Sequence, residues 1–323
     1  MGDMPHDLFL ATQIPPALEL ALADHYTLYR DTPPATTRAM VGGGMMTVDR
    51  NLLDRLPELE IIAVHGVGHD GIDREAVAAR GIRIAITPDV LNEDVADQAI
   101  ALWLAVDRRI AANDRAMRMG NWTVPLGRRA SGRRIGLFGL GRIGQAIARR
   151  AEPFGGEILY TARSAKPVAW HFVPDLATLA EESDVLILAA PGGPETKGVV
   201  DAAVLDRLGP DGVLVNIARG SLVDEEALIA ALDAHRIAGA GLDVFADEPD
   251  VPYALRRMNH VVLSPHQGSA TREGRAAMAD MVVANLEAHF AGQEVPGLLG
   301  ALLSSRDGYL WELTGWTQGS QAS

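Results

Sequence analysis

The most informative absence in this 323-residue sequence is cysteine, which occurs nowhere in the chain. Disulfide bonds, thiolate nucleophiles and thiolate metal ligands are therefore excluded. A chain without thiols is compatible with a reducing compartment, so its composition fits a cytoplasmic protein.

Long hydrophobic runs are also missing. The sequence contains no stretch of about 18 uncharged apolar residues, the length that a membrane-spanning helix needs. Its first residues, Met-Gly-Asp-Met-Pro-His-Asp, lack the basic segment and the apolar run of a secretory signal. We therefore expect a soluble, unexported protein in the cytoplasm.

Positive charge is scarce relative to negative charge. The chain has 29 Lys and Arg residues against 42 Asp and Glu residues, which gives a formal net charge of −13. A phosphate backbone or an anionic lipid surface would not be attracted to such a chain, which argues against nucleic acid and membrane as partners. An anionic ligand must then be held by local cations. Arg142, Arg163 and Arg219 stand beside the motifs described below.

What the sequence does contain is a repeated alternation of short β-rich runs and helical segments. Ile61–Val64 and Arg83–Ile86 are β-rich runs on either side of a helical segment, Arg74–Arg80. A second series with similar spacing starts at Arg134. This order predicts an α/β protein with two doubly wound parallel-sheet domains, the larger of them a Rossmann dinucleotide-binding domain. The strands predicted in the second series are Ile135–Phe138, Ile158–Tyr160, Val185–Leu188, Val213–Asn216, Gly239–Val244 and Val261–Leu263.

Two long helices are expected near the junctions of these domains. Apolar residues at three- and four-residue spacing predict one continuous helix from Leu91 to Met119 and another from Thr271 to Phe290. We predict a discontinuous substrate (lid) domain of residues 1–105 and 287–323, and a dinucleotide-binding domain of residues 106–286. The tail of residues 297–323 contains no motif to which we can assign a role.

The segment Gly139-Leu-Gly-Arg-Ile-Gly144 is a GxGxxG motif between a predicted strand and a predicted helix. The first glycine allows a tight turn, the second lets the backbone approach a pyrophosphate, and the third lets helix and strand pack closely. Amides at the helix N-terminus, including those of Arg142 and Ile143, then face the phosphates. A GxGxxG motif alone is weak evidence, but this context predicts a dinucleotide site.

The next predicted strand is followed by Ala162, Arg163 and Ser164. An NAD-selective site would place an acid here for the ribose 2′-hydroxyl, and none is present. A small Ala162 leaves room for a 2′-phosphate, which Arg163 and Ser164 can hold by charge-assisted hydrogen bonds, with Thr161 or Lys166 as further candidates. The sequence therefore favours NADP(H), with NAD(H) as the alternative if Arg163 is only a solvated surface residue.

Three segments far apart in the chain each place one ionisable side chain close after a predicted strand: Arg219, Glu248 and His266. Hydride addition to a ketone leaves negative charge on oxygen, so it needs an acid at that oxygen and a cation at the substrate carboxylate. His266 suits the acid, because imidazole titrates near neutrality, and Glu248 can favour its protonated form. Arg219 can grip carboxylate and carbonyl oxygen with its planar fork. These residues predict reduction of a 2-oxo acid.

With these segments in view, the chain resembles the D-2-hydroxyacid dehydrogenase family from Leu52 to about Val295. It is most similar to the hydroxypyruvate/glyoxylate reductase and hydroxyphenylpyruvate reductase branch. The resemblance implies NADPH-dependent reduction of hydroxypyruvate, glyoxylate and larger 2-oxo acids to D-2-hydroxy acids. It rests on His65-Gly-Val-Gly-His-Asp-Gly-Ile-Asp73, Thr87-Pro-Asp-Val-Leu-Asn-Glu-Asp-Val-Ala-Asp97, Phe138-Gly-Leu-Gly-Arg-Ile-Gly144, Tyr160-Thr-Ala-Arg-Ser164 and the three catalytic segments.

The resemblance also implies roles for single residues. The amides of Val67 and Gly68 would bind the substrate carboxylate together with Arg219, while His266 would contact the substrate and Asp243 would hold the nicotinamide carboxamide. Such enzymes are usually homodimers joined through their nucleotide-binding domains, so we expect a homodimer. The other residues expected at the cofactor are Pro191, Ile217, Ala218 and Gly268.

Two other functions stay open at this point. One is oxidation of formate or phosphite on the same scaffold. Formate enzymes of the family carry glutamine where Glu248 stands, which counts against formate but leaves phosphite. The other is a dinucleotide-sensing transcriptional corepressor without physiological catalysis, although such proteins are longer and have partner-peptide surfaces that we do not find in this sequence.

His65 and His69 are four residues apart, a spacing that raises the question of a zinc site. They lie in a glycine-rich loop with no evident third ligand, so a polar loop is the better interpretation and we expect no metal.

Overall fold

The computed structural model describes residues 6–300 and divides that range into two compact units. Unit 1 contains residues 6–91 and 272–300, and unit 2 contains residues 92–271. The predicted junctions after residues 105 and 286 fall inside two helices, whereas the units divide where those helices begin. The helix from Asn92 packs on strands of unit 2, and the helix from Arg272 packs on a strand of unit 1. Residues 301–323 of the predicted substrate domain lie outside the described residues.

Strands and helices alternate along most of the chain, and no helix within residues 6–300 is long and apolar enough to cross a membrane. The strands are β1 (His6–Leu10), β2 (Tyr26–Tyr29), β3 (Ala39–Gly43), β4 (Ile61–His65), β5 (Arg83–Ala85), β6 (Ile135–Phe138), β7 (Ile158–Thr161), β8 (His171–Phe172), β9 (Val185–Leu188), β10 (Val213–Asn216), β11 (Gly239–Leu242) and β12 (Val261–Leu263). The helices are α1 (Pro16–Ala23), α2 (Arg50–Asp54), α3 (Arg74–Ala79), α4 (Asn92–Asp107), α5 (Ile110–Arg118), α6 (Arg142–Ala151), α7 (Leu176–Glu182), α8 (Ala202–Leu208), α9 (Glu225–Asp233), α10 (Tyr253–Arg257) and α11 (Arg272–Phe290).

Unit 1 is built on a five-stranded parallel sheet in the order β2-β1-β3-β4-β5. Side chains alternate between the two faces of a strand, so a sheet covered on both faces needs apolar residues at successive positions. In β4, Ile61 and Ala63 join the core that contains Leu286 of α11, whereas Ile62 joins the core that contains Val77 of α3. This two-sided burial explains why Ile61–Val64 is a continuous apolar run.

Unit 2 is built on a seven-stranded parallel sheet in the order β12-β11-β10-β9-β6-β7-β8. From β6 the chain first winds outward through β7 and β8, then returns to β9 on the other side of β6 and continues to β12. The loops that follow β6 and β9 therefore lead to opposite sides of the sheet and leave a crevice between them. Ligands of open α/β sheets bind in such a crevice. The prediction of two doubly wound parallel sheets is confirmed, and the strands predicted in unit 2 agree with the observed ones to within two residues.

The prediction of one helix from Leu91 to Met119 is wrong, because the helix is interrupted between α4 and α5. Arg109 has a left-handed backbone with φ of 55°, and α5 starts at the next residue. The carbonyl of Asp107 accepts the amide of Arg128 at 2.7 Å, and its buried carboxylate accepts the Trp103 indole N–H at 2.7 Å. Because contacts with a distant segment fix the end of α4, local periodicity did not indicate it.

Candidate active site

The three predicted catalytic residues follow three adjacent strands of unit 2. Asn216 of β10 pairs with Leu242 of β11, which pairs with Leu263 of β12, so the carboxyl ends of these strands are level. Arg219, Glu248 and His266 lie in the loops that leave this edge of the sheet. The structure therefore brings the loops of the catalytic segments to one edge, as their positions after strands predicted.

His266 and Glu248 are in direct contact. The Nδ1 atom of His266 lies 2.7 Å from Oε2 of Glu248, and Oε1 of Glu248 accepts the Phe245 amide at 3.0 Å. A carboxylate only accepts hydrogen bonds, so Nδ1 carries the proton and Nε2 is the ring nitrogen left for proton exchange with a ligand. The His266 side chain is 38% exposed and that of Glu248 14%, which places the imidazole at the surface and its partner beneath it.

Glu248 is held in its charged form. Burial works against ionisation, but the hydrogen bonds from His266 and the Phe245 amide and the positive charge of Arg219 outweigh it, so the pKa of Glu248 is lowered. Its negative charge is therefore present through the neutral range and is lost only as the pH falls through this lowered pKa. The ionised carboxylate accepts the hydrogen bond from His266 and so keeps a proton on Nδ1 of the imidazole.

The loop that carries Arg219 is fixed by Asn216, a residue that sequence reasoning had assigned only to a strand. The Asn216 side chain accepts the Ala218 amide at 3.1 Å and donates to the Arg219 carbonyl at 2.9 Å. The backbone of this loop also passes very close to the loop after β11. A Cβ at Gly220 would lie 1.9 Å from the Phe245 carbonyl group, so only glycine fits there. Arg219 itself donates to the Ala218 carbonyl at 2.6 Å.

The loop that carries His266 is fixed by Asp243. His266 has a left-handed backbone with φ of 53°, and its amide donates to the Asp243 carbonyl at 2.8 Å. The Asp243 carboxylate, in a residue that is 1% exposed, accepts the amides of Gln267 at 2.8 Å and Gly268 at 2.7 Å. Asp243 thus holds the turn that presents the imidazole. Its predicted contact with the nicotinamide, like that of Gly268 with the cofactor, stays a prediction.

Gln98 is a further polar residue at this edge, and sequence reasoning missed it. Its side-chain amide in α4 donates to Asp243 at 3.2 Å and to the Ser264 hydroxyl at 2.8 Å, and so links the ends of β11 and β12. A polar residue inside the apolar pattern of α4 was the available signal, but nothing local indicates which loop it contacts.

The glycines of the GxGxxG motif have the environments that the motif predicts. Gly139 has φ of 101°, and a Cβ there would lie 2.7 Å from the Ala190 amide nitrogen. A Cβ at Gly144 would lie 2.2 Å from the Gly139 carbonyl oxygen, so β6 and α6 approach closely at this point. A Cβ at Gly141 would meet no heavy atom within 4 Å, which is the open backbone that a pyrophosphate requires. Arg142 and Ile143 form the first turn of α6, whose amides point toward this space.

The other predicted cofactor residues lie at the same edge of the unit 2 sheet. Ala162, Arg163 and Ser164 follow β7, and the last two are exposed. This loop has no acidic side chain. The remaining three follow β9 or β10: Pro191 is exposed, Ile217 is buried and Ala218 is half-buried. The residues present therefore fit a phosphorylated dinucleotide.

Val67 and Gly68 belong to unit 1, in the loop that follows β4. The Gly68 carbonyl oxygen would lie 3.0 Å from a Cβ at Gly44, and the Val67 carbonyl lies 3.0 Å from the ring of His69.

His65 is buried at the end of β4. Among residues 6–300, no group of three or more His, Asp or Glu side chains is arranged to hold a metal ion.

Comparison with known proteins agrees with this geometry. Residues 100–268 match the family model of the D-isomer specific 2-hydroxyacid dehydrogenase NAD binding domain. The chain is 45% identical over 296 residues to a 2-ketogluconate reductase of Gluconobacter oxydans (strain 621H), covering 88% of this chain and 95% of that protein. It is 48% identical over 269 residues to a glyoxylate/hydroxypyruvate reductase A of Arabidopsis thaliana, covering 82% of this chain and 86% of the relative.

A solved structure shows the same fold. It is an NADPH-dependent glyoxylate/hydroxypyruvate reductase from Sinorhizobium meliloti in complex with NADP and malonate, 40% identical with a TM-score of 0.88, covering 92% of this chain and 98% of that chain. The chain belongs to the D-isomer specific 2-hydroxyacid dehydrogenase family. The predicted family and the predicted binding of NAD(P)(H) are thereby confirmed.

Proposed function

We propose that this protein is an NADPH-dependent reductase of small 2-oxo acids, with hydroxypyruvate and glyoxylate as substrates. The observation that carries the proposal is the contact of 2.7 Å between His266 and Glu248, at the sheet edge that also bears Arg219 and the glycine motif. Relatives that are reductases of glyoxylate, hydroxypyruvate and 2-ketogluconate support this substrate class.

His266 is the proposed proton donor. When bound, the reduced dinucleotide supplies the hydride for the carbonyl carbon of the substrate. Negative charge then develops on the carbonyl oxygen, and the protonated imidazole neutralises it by giving up its Nε2 proton. Glu248 keeps Nδ1 protonated and balances the imidazolium charge before this transfer.

Arg219 is the proposed anchor of the substrate. Its planar guanidinium can donate to the carboxylate and to the carbonyl oxygen at once, which orients the carbonyl before it reacts. From the family resemblance we keep the amides of Val67 and Gly68 as further donors to the carboxylate, and a D-2-hydroxy acid as the product.

The preference for NADPH is proposed from the loop after β7. Arg163 and Ser164 are exposed there, and Ala162 offers no carboxylate to a ribose hydroxyl. The relative solved in complex with NADP, itself described as NADPH-dependent, supports the same choice.

Replacing Ala162 by aspartate should erase or reverse the preference. The new carboxylate would repel a 2′-phosphate but accept a hydrogen bond from a 2′-hydroxyl. We expect kcat/KM with NADPH to fall about 10- to 100-fold, the range for losing hydrogen bonds to a charged group, while kcat/KM with NADH holds or rises. Ala169→Asp, which adds the same charge at an exposed position farther along the same loop, is the control. A variant that still prefers NADPH as strongly as the wild type would argue against this site.

Replacing Glu248 by glutamine should move the pH dependence of reduction. Glu248 is ionised above its lowered pKa, so the contribution of its charge is lost as the pH falls through that pKa. Glutamine does not titrate, so the decline of kcat at acidic pH that this protonation causes in the wild type should be absent from the variant. The pH–rate profile measures this, with Glu226→Gln, an exposed residue of α9, as the control. An unchanged profile would remove Glu248 from the mechanism.

We further propose that the chain forms a homodimer. Within unit 2, Trp122 is 83% exposed and Leu126 is 95% exposed, and both lie in one short segment after α5. Large apolar side chains exposed together are typical of an association surface. The molar mass in solution tests this proposal.

A turnover assay tests the proposed function against the alternatives. Oxidation of NADPH on addition of hydroxypyruvate supports a reductase and would not be shown by a corepressor without catalysis. Reduction of NADP⁺ with phosphite or formate, without turnover of any 2-oxo acid in a panel that includes phenylpyruvate and 2-ketogluconate, would replace the proposal with an oxidation on the same scaffold.

A further inference from the structure

The side chain of Tyr160 reaches the loop that follows its own strand. Tyr160 lies in β7 and is 1% exposed. Its hydroxyl accepts the backbone amide of Lys166 at 2.7 Å and donates to the Lys166 carbonyl at 3.4 Å. One buried phenol therefore contacts both main-chain polar groups of a residue six positions ahead.

These bonds close a short loop whose other end is also fixed. The Thr161 carbonyl accepts the Gly139 amide at 2.9 Å, and the Thr161 hydroxyl donates to the Val173 carbonyl at 2.8 Å. Thr161 is thus tied to the glycine motif on one side and to the chain after β8 on the other. With Lys166 tied to Tyr160, the residues between them form a closed turn.

That closed turn contains Ala162, Arg163 and Ser164, the residues proposed to receive the 2′-phosphate. Arg163 and Ser164 are exposed, so neighbouring side chains do not enclose them. Their placement depends on the backbone anchors at the two ends of the turn. A long flexible side chain on a mobile loop loses conformational entropy when it binds an anion, and a fixed backbone reduces that loss.

The ring and the hydroxyl of Tyr160 serve different purposes. The ring packs in the core beside Phe172, with ring centroids 5.5 Å apart. A phenylalanine could make the same packing contacts, so the hydroxyl is needed only for the bonds to Lys166. Removal of the hydroxyl would leave the fold in place and release one end of the turn.

We infer that Tyr160 is a positioning residue for cofactor selection, which holds the Ala162–Ser164 turn in place for a ribose 2′-phosphate through its hydroxyl bonds to Lys166. This inference rests on the proposed preference for NADPH. Tyr160 would then contribute to the preference for NADPH through the backbone of the turn and not through a contact with the cofactor.

The test is Tyr160→Phe in the full-length protein, assayed with NADPH and with NADH. We expect KM for NADPH to rise about three- to tenfold, the worth of a lost hydrogen bond, with kcat and KM for NADH within about twofold of the wild type. Tyr253→Phe is the matched control, because it removes a hydroxyl from an exposed tyrosine of the same unit. Unchanged KM for NADPH, or an equal loss with both cofactors, would overturn the inference.

A double-mutant cycle with Arg163→Ala separates this inference from the function on which it rests. If Tyr160 acts by positioning Arg163, its effect on KM for NADPH should shrink to less than about twofold once Arg163 is alanine. Fully additive effects would contradict positioning. If Arg163→Ala leaves KM for NADPH unchanged, the proposed NADPH site itself is wrong, whereas a large effect of Arg163→Ala without one of Tyr160→Phe rejects only the role of Tyr160.

Discussion

Replacing His266 by alanine is expected to lower kcat for reduction of hydroxypyruvate about 10²–10⁴-fold, the usual contribution of a positioned acid. The imidazole is held by Glu248 at 2.7 Å with Nε2 left for the substrate, and no other side chain in this contact can donate in its place. Binding of NADPH should be retained, because the glycine motif and the turn after β7 are unchanged. Steady-state kinetics and a binding titration with NADPH measure the two effects.

The left-handed backbone of His266 determines which control variants this experiment needs. His266 has φ of 53°, and alanine at such a position is strained. His235 has φ of 52° and is exposed, so His235→Ala imposes a comparable strain at a distance from the catalytic segments. His266→Asn, which tolerates a left-handed backbone, should lose activity as the alanine variant does. Activity within tenfold of the wild type in both His266 variants would show that another group donates the proton.

Replacing Arg219 by lysine is expected to lower kcat/KM about 10- to 100-fold, through a higher KM and a lower kcat together. Lysine keeps the charge but loses the planar fork, so carboxylate and carbonyl oxygen are no longer held at once. The loop should survive, since the Asn216 side chain bonds to the Ala218 amide and to the Arg219 carbonyl, and both are backbone groups that the substitution keeps.

Measurements with Arg219→Lys need a control that replaces an arginine by lysine away from the proposed site. Arg207→Lys is suitable, because Arg207 is half exposed and pairs with Glu181 on the surface of the same unit. Its kinetics should match those of the wild type. A change in cofactor affinity alone, with kcat and the KM for the 2-oxo acid unaffected, would show that Arg219 does not contact the substrate.

The sequence was sufficient to predict two doubly wound parallel sheets, six strands of the larger one, and the position of the catalytic segments after its strands. Buried parallel strands are continuous apolar runs, and the first three residues of Val213–Asn216 form such a run that is visible without any tertiary information. A residue soon after such a strand lies at its carboxyl edge in any parallel sheet, so Arg219 and His266 could be placed near each other. The contact between His266 and Glu248 depends on two loop conformations, and only the structure gives it.

Features set by distant contacts were not predictable in this way. The end of α4 is fixed by a hydrogen bond between Asp107 and Arg128, so the apolar spacing continued past the break. Gln98 and Asn216 act through bonds to loops that no local pattern identifies. The hydroxyl of Tyr160 likewise bonds to Lys166, and the spacing of these two residues in the sequence does not indicate that bond.

The measurement that tests the central proposal most directly is kcat/KM of the wild-type protein for hydroxypyruvate and glyoxylate, each with NADPH and with NADH. We predict turnover of both 2-oxo acids and a higher kcat/KM with NADPH. A higher kcat/KM with NADH, or no turnover of either acid with either dinucleotide, would contradict the proposed function.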